Sequence, residues 1–306
     1  MYNKTQKVQV LLSTYNGEKY LNDLIASLLN QDYPNLNILI RDDGSTDKTL
    51  DILYKYKNIE NITLLVGENI GVVNSFFELL KQSDHEADFI AFCDQDDIWL
   101  IDKVSRAVKK LNEKNTDKSL MYCSKLTLVD DSLQFLKETI SPRKGPAFEN
   151  SLVQNIATGC TILINKVARE IILLELPKKA IMHDWWIYQV VSAVGEVIYD
   201  DESRILYRQH ASNVIGAQST LFGKWKTRIS RYLNNKDRYI LRNQVMEIDR
   251  IFKNNLSIDK RKTIELFINR PSDLKSRLNY VITTKLFRQD IIDDLIFKIL
   301  ILLNRI

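Results

Sequence analysis

The sequence predicts an α/β fold built around a mostly parallel sheet, and three observations point to it. Short apolar runs, Val8–Leu12, Ile38–Ile40, Ile62–Val66 and Phe89–Cys93, alternate with stretches whose apolar residues fall at helical spacing. Each run closes on a polar cluster, as strands do where they reach the ligand-binding edge of an open α/β sheet. The spacing of strand and helix leaves room for βαβ crossovers rather than tight hairpins.

In chain order, Val8–Leu12 is the first strand and Ser13-Thr14-Tyr15-Asn16-Gly17 its loop. Leu21, Leu24, Ile25, Leu28 and Leu29 then make one apolar helix face, which ends before Pro34. The second strand closes on Arg41-Asp42-Asp43-Gly44-Ser45-Thr46-Asp47, where Gly44 permits a turn and Ser45 or Thr46 can cap the next helix. Leu50, Leu53 and Tyr54 give that helix its buried side. After the third strand come an Asn69-x-Gly71 turn and a helix carrying Phe76, Phe77, Leu79 and Leu80. Phe89–Cys93 leads into Asp94-Gln95-Asp96-Asp97, followed by a helix through Val104, Ala107, Val108 and Leu111. Met121–Val129 reads as one further strand, and the polar stretch 130–148, with two prolines, as a loop. Later strands are expected at Thr161–Ile164 and Arg204–Tyr207, with helices near Val167–Leu174 and Trp185–Val194.

The composition is that of an ordinary globular chain, with 27% charged and 45% apolar residues. Three cysteines, Cys93, Cys123 and Cys160, form an odd set without metal-ligand spacing, which predicts buried free thiols in a reducing compartment. Met1–Lys7 lacks an apolar signal core, and no segment reaches the roughly 20 apolar residues of a membrane span. A cytoplasmic protein, resting against the inner face of the cell membrane, is the expectation. The net charge of +4 is unevenly placed, since Lys224, Lys226, Arg228, Arg231, Lys236, Arg238 and Arg242 stand against Asp237 alone. Such a run beside amphipathic helices suits anionic lipid. With only Trp225, Tyr232 and Tyr239 interleaved and no recognition motif, it does not suit nucleic acid. The final helix is expected to gather Ile291, Ile292, Leu295, Ile296, Ile299, Leu300 and Leu303 on one apolar stripe.

The chemistry converges on the end of the fourth strand. Asp94, Asp96 and Asp97 arrive together after an apolar run, and three carboxylates so close repel one another unless a cation joins them. Oxygen ligands suit Mg²⁺ or Mn²⁺, ions that commonly share a diphosphate with the protein. No dinucleotide glycine fingerprint follows the first strand and no phosphate-binding Gly-x-x-x-x-Gly-Lys loop occurs, which excludes those nucleotide sites. The hydroxyls and ring of Ser13, Thr14 and Tyr15 suit a flat base instead, and a carboxylate of Asp42-Asp43 can accept a hydrogen bond from a pyrimidine N–H.

Six motifs in order resemble the family 2 glycosyltransferases: Ser-Thr-Tyr-Asn-Gly at 13–17, Asp-Asp-Gly-Ser-Thr-Asp at 42–47, Asp-Gln-Asp-Asp at 94–97, Thr-Gly-Cys at 158–160, His-Asp-Trp-Trp at 183–186 and Arg-Gln-His at 208–210. The resemblance runs from about Val8 to Asn213, and the wording around Asp94, His183 and His210 looks most like the rhamnosyltransferase branch. It implies the GT-A nucleotide-diphospho-sugar transferase fold, a Rossmann-like mixed sheet flanked by helices, over residues 1–217; the shift after about Gly216 to a mainly helical, strongly charged composition predicts a helical, basic extension at 218–306. The resemblance also implies roles. Ser13, Thr14, Tyr15, Asp43, Asn69, Asp94 and Asp96 would bind the nucleotide sugar, and Asp96, Asp97 and His210 the metal. Asp184 would be the catalytic base, with Gly159, Trp185 and Trp186 as acceptor or sugar platform. Many relatives carry an arginine after the third strand, where this chain reads Val72-Val73-Asn74-Ser75, so a different basic residue must assist the diphosphate.

One base and one metal imply a single displacement with inversion at the anomeric carbon. The resemblance implies dTDP-L-rhamnose as donor and a saccharide or polyprenyl-linked acceptor of bacterial surface polysaccharide synthesis. The rivals are the same fold with a UDP-hexose donor, and a catalytically silent sugar-nucleotide-binding scaffold.

Overall fold

The computed structural model describes residues 6–210 and 240–305. Its first half follows the expected alternation: β1 (Val8–Thr14), α1 (Leu21–Leu29), β2 (Leu36–Asp42), α2 (Thr49–Tyr56), β3 (Ile62–Val66), α3 (Val72–Gln82) and β4 (Phe89–Cys93). Next come β5 (Ile98–Trp99), α4 (Lys103–Asn112), β6 (Leu120–Ser124), β7 (Thr127–Val129), β8 (Phe135–Glu138) and α5 (Phe148–Ser151). The domain continues with β9 (Leu163–Asn165), α6 (Lys166–Leu174), α7 (His183–Val194), β10 (Glu196–Asp200) and β11 (Ile205–Arg208). Four helices follow the undescribed stretch: α8 (Ile240–Phe252), α9 (Ile258–Ile268), α10 (Leu274–Thr283) and α11 (Ile291–Leu302).

The main sheet has seven strands in the order β10-β6-β9-β4-β1-β2-β3, and a smaller one runs β5-β11-β7-β8. β1 pairs in parallel with both β2 and β4, whereas β9 is antiparallel to β4 and β6, so the sheet is mixed. The chain builds outward from β1 through β2 to β3, then returns to lay β4 on the other side of β1. That reversal is a topological switch point, and a crevice opens there beyond the carboxyl ends of the two strands. Successive residues of β1 face opposite sides. Val10 and Leu12 join the core under α1 and α4, and Leu11 joins the core shared by α3, α7 and the C-terminal helices. Phe89–Cys93 is buried throughout, as a strand covered on both faces must be.

The structure corrects the sequence reading in several places. Met121–Val129 is two strands in two sheets, and the chain breaks where the Lys125 backbone N–H donates to Asp200 O at 3.1 Å. The polar stretch 130–148 contains β8, an edge strand with every residue exposed, and the start of α5. β5 and β10 were not expected: β5 is only two residues long, and β10 begins and ends on acids. The final helix buries Phe297, Leu300 and Ile301, while Ile291, Ile292, Leu295 and Ile299 face outward. Its aliphatic residues extend almost all the way round, so spacing alone did not fix the buried side. Of the basic stretch, all but Arg242 lies outside the described residues, as does the expected domain boundary at 217/218. All three cysteines are free and buried, as expected.

Candidate active site

A cavity of about 810 Å³ fills the crevice at the switch point. Its walls include Ser13, Tyr15, Asp43, Asn69, Asp94, Asp96, Gly159, Asp184 and His210, all predicted from sequence. Residues 13 and 184 thus come to one site from opposite ends of the domain.

The side of the cavity formed by the loops after β1, β2 and β3 is held by hydrogen bonds between neighbours. Tyr15 N–H donates to Gln95 Oε1 at 2.8 Å, and Gln95 Nε2 donates to Tyr15 O at 3.0 Å, joining the first loop to the acidic motif. Asp43 is buried and its carboxylate accepts from the backbone N–H groups of Ile70 (3.0 Å) and Gly71 (2.9 Å). Gly71 sits at φ +81°, a left-handed conformation that suits glycine, and opens α3. Arg41 forms an ion pair with Asp43 and donates to Glu68 O (2.9 Å) and Ser75 Oγ (3.1 Å). An arginine of β2 therefore lies against the turn after β3, where the sequence motif lacks one. Thr14 is buried away from the cavity and donates to Asp42 Oδ2 at 3.0 Å.

The acidic motif divides. Asp96 reaches the cavity, and its Oδ2 lies 2.7 Å from Nε2 of His210, which follows β11. Asp97 instead is fully buried, does not line the cavity, and accepts from Arg208 N–H at 3.2 Å. This position sets it apart from Asp96 and His210, the two expected metal ligands that reach the cavity. Burial, with Asp96 and Asp94 nearby, pushes its carboxyl well above the usual range. Asp94 is raised to about 7 by burial first and by the charges of Asp96 and Asp184 second.

The side chains fit a divalent cation at one place. Asp96 and His210 offer oxygen and imidazole nitrogen at the cavity wall, a donor set that Mn²⁺ or Mg²⁺ accepts once a diphosphate and water complete the shell. A second grouping, Asp94, Asp97 and Cys160, has ligand atoms within 4.8 Å of one another. It suits such an ion poorly, because burial keeps the soft Cys160 thiol protonated.

Across the cavity, Asp184 sits in the first turn of α7. Its carboxylate accepts from Gly159 N–H at 3.1 Å and from Trp185 N–H at 2.6 Å. Burial nonetheless outweighs these bonds and lifts it to about 6. A side chain at Gly159 would meet His183 Nε2 at 2.9 Å, so the loop can approach α7 this closely only as glycine. His183 stacks on Phe76 with ring centroids 3.9 Å apart, and burial lowers it to about 3, which keeps it neutral.

The two tryptophans are not the expected platform. Trp186 is core, 6.3 Å from the Phe252 ring, and Trp185 turns its indole N–H to Ser151 O at 2.6 Å; neither lines the cavity. Sequence reasoning missed Tyr20, Asp131 and Arg208. Tyr20 donates to Asp131 at 2.8 Å, its ring lies 5.0 Å from His210, and Arg208 stacks over it at 4.5 Å. Arg208 also donates to the backbone oxygens of Asp96 (3.0 Å) and Asp131 (2.8 Å), tying the acidic motif to the β7–β8 loop. The only available signal was its place beside His210.

The family profile described as "Glycosyl transferase family 2" matches residues 9–171. The chain belongs to this family. It is an enzyme of the glycosyltransferase class with the GT-A fold and added C-terminal helices. It is 31% identical over 231 residues to the dTDP-rhamnosyl transferase RfbG of Shigella flexneri, covering 70% of this chain and 77% of that one. Among solved structures, TarS 1–349 of S. aureus in complex with UDP-GlcNAc superposes with a TM-score of 0.60 at 20% identity, over 92% of this chain and 77% of that one. The mannosyltransferase PcManGT from Pyrobaculum calidifontis, in complex with GDP-Man and Mn²⁺, gives 0.54 at 16%, over 92% and 78%. These two likenesses bear on the fold.

Proposed function

We propose that the chain is an inverting, metal-dependent transferase that moves L-rhamnose from dTDP-L-rhamnose onto a saccharide or polyprenyl-linked acceptor of bacterial surface polysaccharide synthesis. The observation that carries the reading is the convergence of the Asp96–His210 pair and the buried Asp184 on one cavity. The rhamnose donor is supported by the 31% identical relative named for that donor. Ser13, Tyr15, Asp43 and Asn69 would take the nucleotide. Asp96 and His210 would hold a divalent ion, which when bound supplies charge neutralisation at the leaving diphosphate. Lys19, which lines the same cavity and pairs with Asp131 at 3.1 Å, would be the basic side chain that assists.

Asp184 takes the proton from the acceptor hydroxyl as that oxygen attacks the anomeric carbon. The N–H groups of Gly159 and Trp185 fix the direction of its carboxylate. A value of about 6 leaves it ionised at neutral pH yet basic enough for this transfer. Displacement from the face opposite the leaving diphosphate inverts the sugar. Residues 1–217 would form the catalytic domain. The extension 218–306 would hold it at the cytoplasmic face of an anionic membrane through its lysines and arginines.

A UDP-hexose donor is the second reading, favoured by the bound UDP-GlcNAc of the TarS neighbour. Melting the protein with dTDP-L-rhamnose, UDP-glucose and UDP-GlcNAc, each with Mn²⁺, separates the two, since the true donor stabilises by mass action. The largest shift is expected with dTDP-L-rhamnose, together with metal-dependent release of dTDP. A larger shift with a UDP-sugar would replace the donor, and no shift with any would overturn the reading.

A further inference from the structure

The C-terminal helices turn many aliphatic side chains to solvent. On α10, Leu274, Leu278 and Ile282 recur every fourth residue, which places them on one face. On α11, Ile291, Ile292, Leu295 and Ile299 form a second exposed face. The two helices form an antiparallel hairpin, since Arg277 near the start of α10 donates to Leu302 O at the end of α11. Both pack inward on the same core, through Tyr280 and through Phe297, Leu300 and Ile301, so their apolar outer faces look away from it together. A contiguous exposed apolar surface of this kind marks an interaction site.

A second exposed apolar segment lies beside the first. Phe135, Leu136 and Ile140 stand out from β8 and the chain after it, with Ile140 94% exposed. Buried Gln289, in the turn between α10 and α11, fastens this segment to the helical hairpin. Its Oε1 accepts from Lys144 N–H at 2.8 Å and its Nε2 donates to Gly145 O at 2.7 Å. At the other end of the same β7–β8 hairpin, Asp131 is at the cavity wall, bonded to Tyr20. The β7–β8 hairpin and the chain after it thus link the rim of the active site to the turn that leads into α11.

Charge decides what covers these apolar faces. The segments 135–144 and 274–305 carry nine lysines and arginines against four acids. Asp290 caps α11 and Asp294 pairs with Lys298 at 2.9 Å, so positive charge remains in excess. Leucine and isoleucine faces bordered by lysine and arginine suit the boundary between anionic headgroups and acyl chains. No helix among the described residues is long and apolar enough to cross a membrane.

We propose that the α10–α11 hairpin and the β8 segment insert side by side into an anionic lipid surface and hold the mouth of the active site against it. The inference rests on the reading of the chain as a transferase with a lipid-linked acceptor, and it adds apolar insertion to the charge attraction proposed for the extension.

Flotation of the full chain with phosphatidylcholine vesicles, alone or mixed equally with phosphatidylglycerol, tests it. Binding is expected on the anionic vesicles, with a part that survives high salt because apolar contact is not screened. The variant Leu278→Gln, Ile282→Gln, Leu295→Gln, Ile299→Gln should partition at least about tenfold more weakly. It should melt like the wild type and release nucleoside diphosphate from the donor at the same rate without lipid. That last readout belongs to the sugar-transfer reading alone, so the two ideas fail separately. Equal flotation of variant and wild type would overturn the proposal, as would failure of the wild type to float. So would a wild-type dimer, seen by light scattering, that the variant dissociates, because the surface would then belong to a second copy.

Discussion

Asp96 and Asp184 face one cavity, yet their surroundings are opposite. Asp96 is partly exposed, has an imidazole at 2.7 Å, and sits on a loop held by Arg208. Asp184 is buried, is held by backbone N–H groups, and is lifted to about 6 by the loss of water around it. The first setting presents a carboxylate oxygen beside an imidazole nitrogen at the cavity wall. The second makes a carboxylate basic. On the proposed function, two identical functional groups take two roles, and environment assigns them.

Removing Asp96, the proposed metal ligand, should have the largest effect. Asp96→Ala removes the carboxylate of the Asp96–His210 pair, and loss of a bound ion would forfeit several kcal/mol of charge stabilisation, equivalent to about 10³-fold in rate or more. Transfer should fall by that amount and Mn²⁺-dependent stabilisation by donor should vanish, while melting without ligand is unchanged. Full activity of the wild type in excess chelator would remove the metal from the mechanism.

On the base side the expected loss is somewhat smaller. Asp184→Asn keeps the shape and removes the basicity, so turnover should drop by at least ~10²-fold with little change in the Michaelis constant for the donor. A near wild-type rate would assign the proton to another group. It would also revive the silent scaffold, for which such a change carries no cost.

A pH profile sharpens the contrast further. Because Asp184 must be ionised to act, kcat is expected to be flat above about pH 6 and to fall roughly tenfold per pH unit below it. The sign follows from burial, which raises the carboxyl and so moves the acidic limb up from the ordinary aspartate range near 4. The residual activity of Asp184→Asn should lack this limb. If the limb persists in the variant, Asp94, raised to about 7, is the group being titrated.

The two sides also differed in how readily they could be read from sequence. The metal side was legible because strand and chemistry are contiguous: Phe89–Cys93 is a wholly apolar run and the acids follow at once. What spacing could not give was the division among those acids. Asp96 faces the cavity and Asp97 turns inward because Arg208, more than 100 residues later in the chain, supplies its N–H to Asp97. Arg41 was likewise invisible as the cation beside the turn after β3, since it arrives from the neighbouring strand. Around Asp184 the motif pointed to a residue that lines the cavity, whereas the two tryptophans after it do not. An indole looks alike in sequence whether it meets a sugar or a core, and for Trp186 the deciding partner, Phe252, lies on α8. Local patterns reported strands and strand-end loops. They did not report contacts made across the fold, and which side of the final helix is buried stayed hidden for the same reason.

The smallest expected effect belongs to Trp185, and it tests whether the base side really lacks an aromatic sugar platform. The indole N–H is spent on Ser151 O at 2.6 Å and the ring does not line the cavity. Trp185→Phe removes that hydrogen bond and leaves an aromatic ring in its place. Folding stability should fall by about 1 kcal/mol, the ordinary net value of one such bond. The backbone N–H that Trp185 donates to Asp184 is untouched by the change, so the base keeps its orientation. Turnover and the Michaelis constants for donor and acceptor should therefore stay within about twofold of the wild type, while the melting temperature drops by a few degrees. A stacked sugar would give the opposite pattern, because losing indole area from a binding face weakens substrate binding by much more than it weakens the fold. An acceptor Michaelis constant raised tenfold with an unchanged melting temperature would put Trp185 back against the sugar, and α7 would then have to rotate on substrate binding to bring it there.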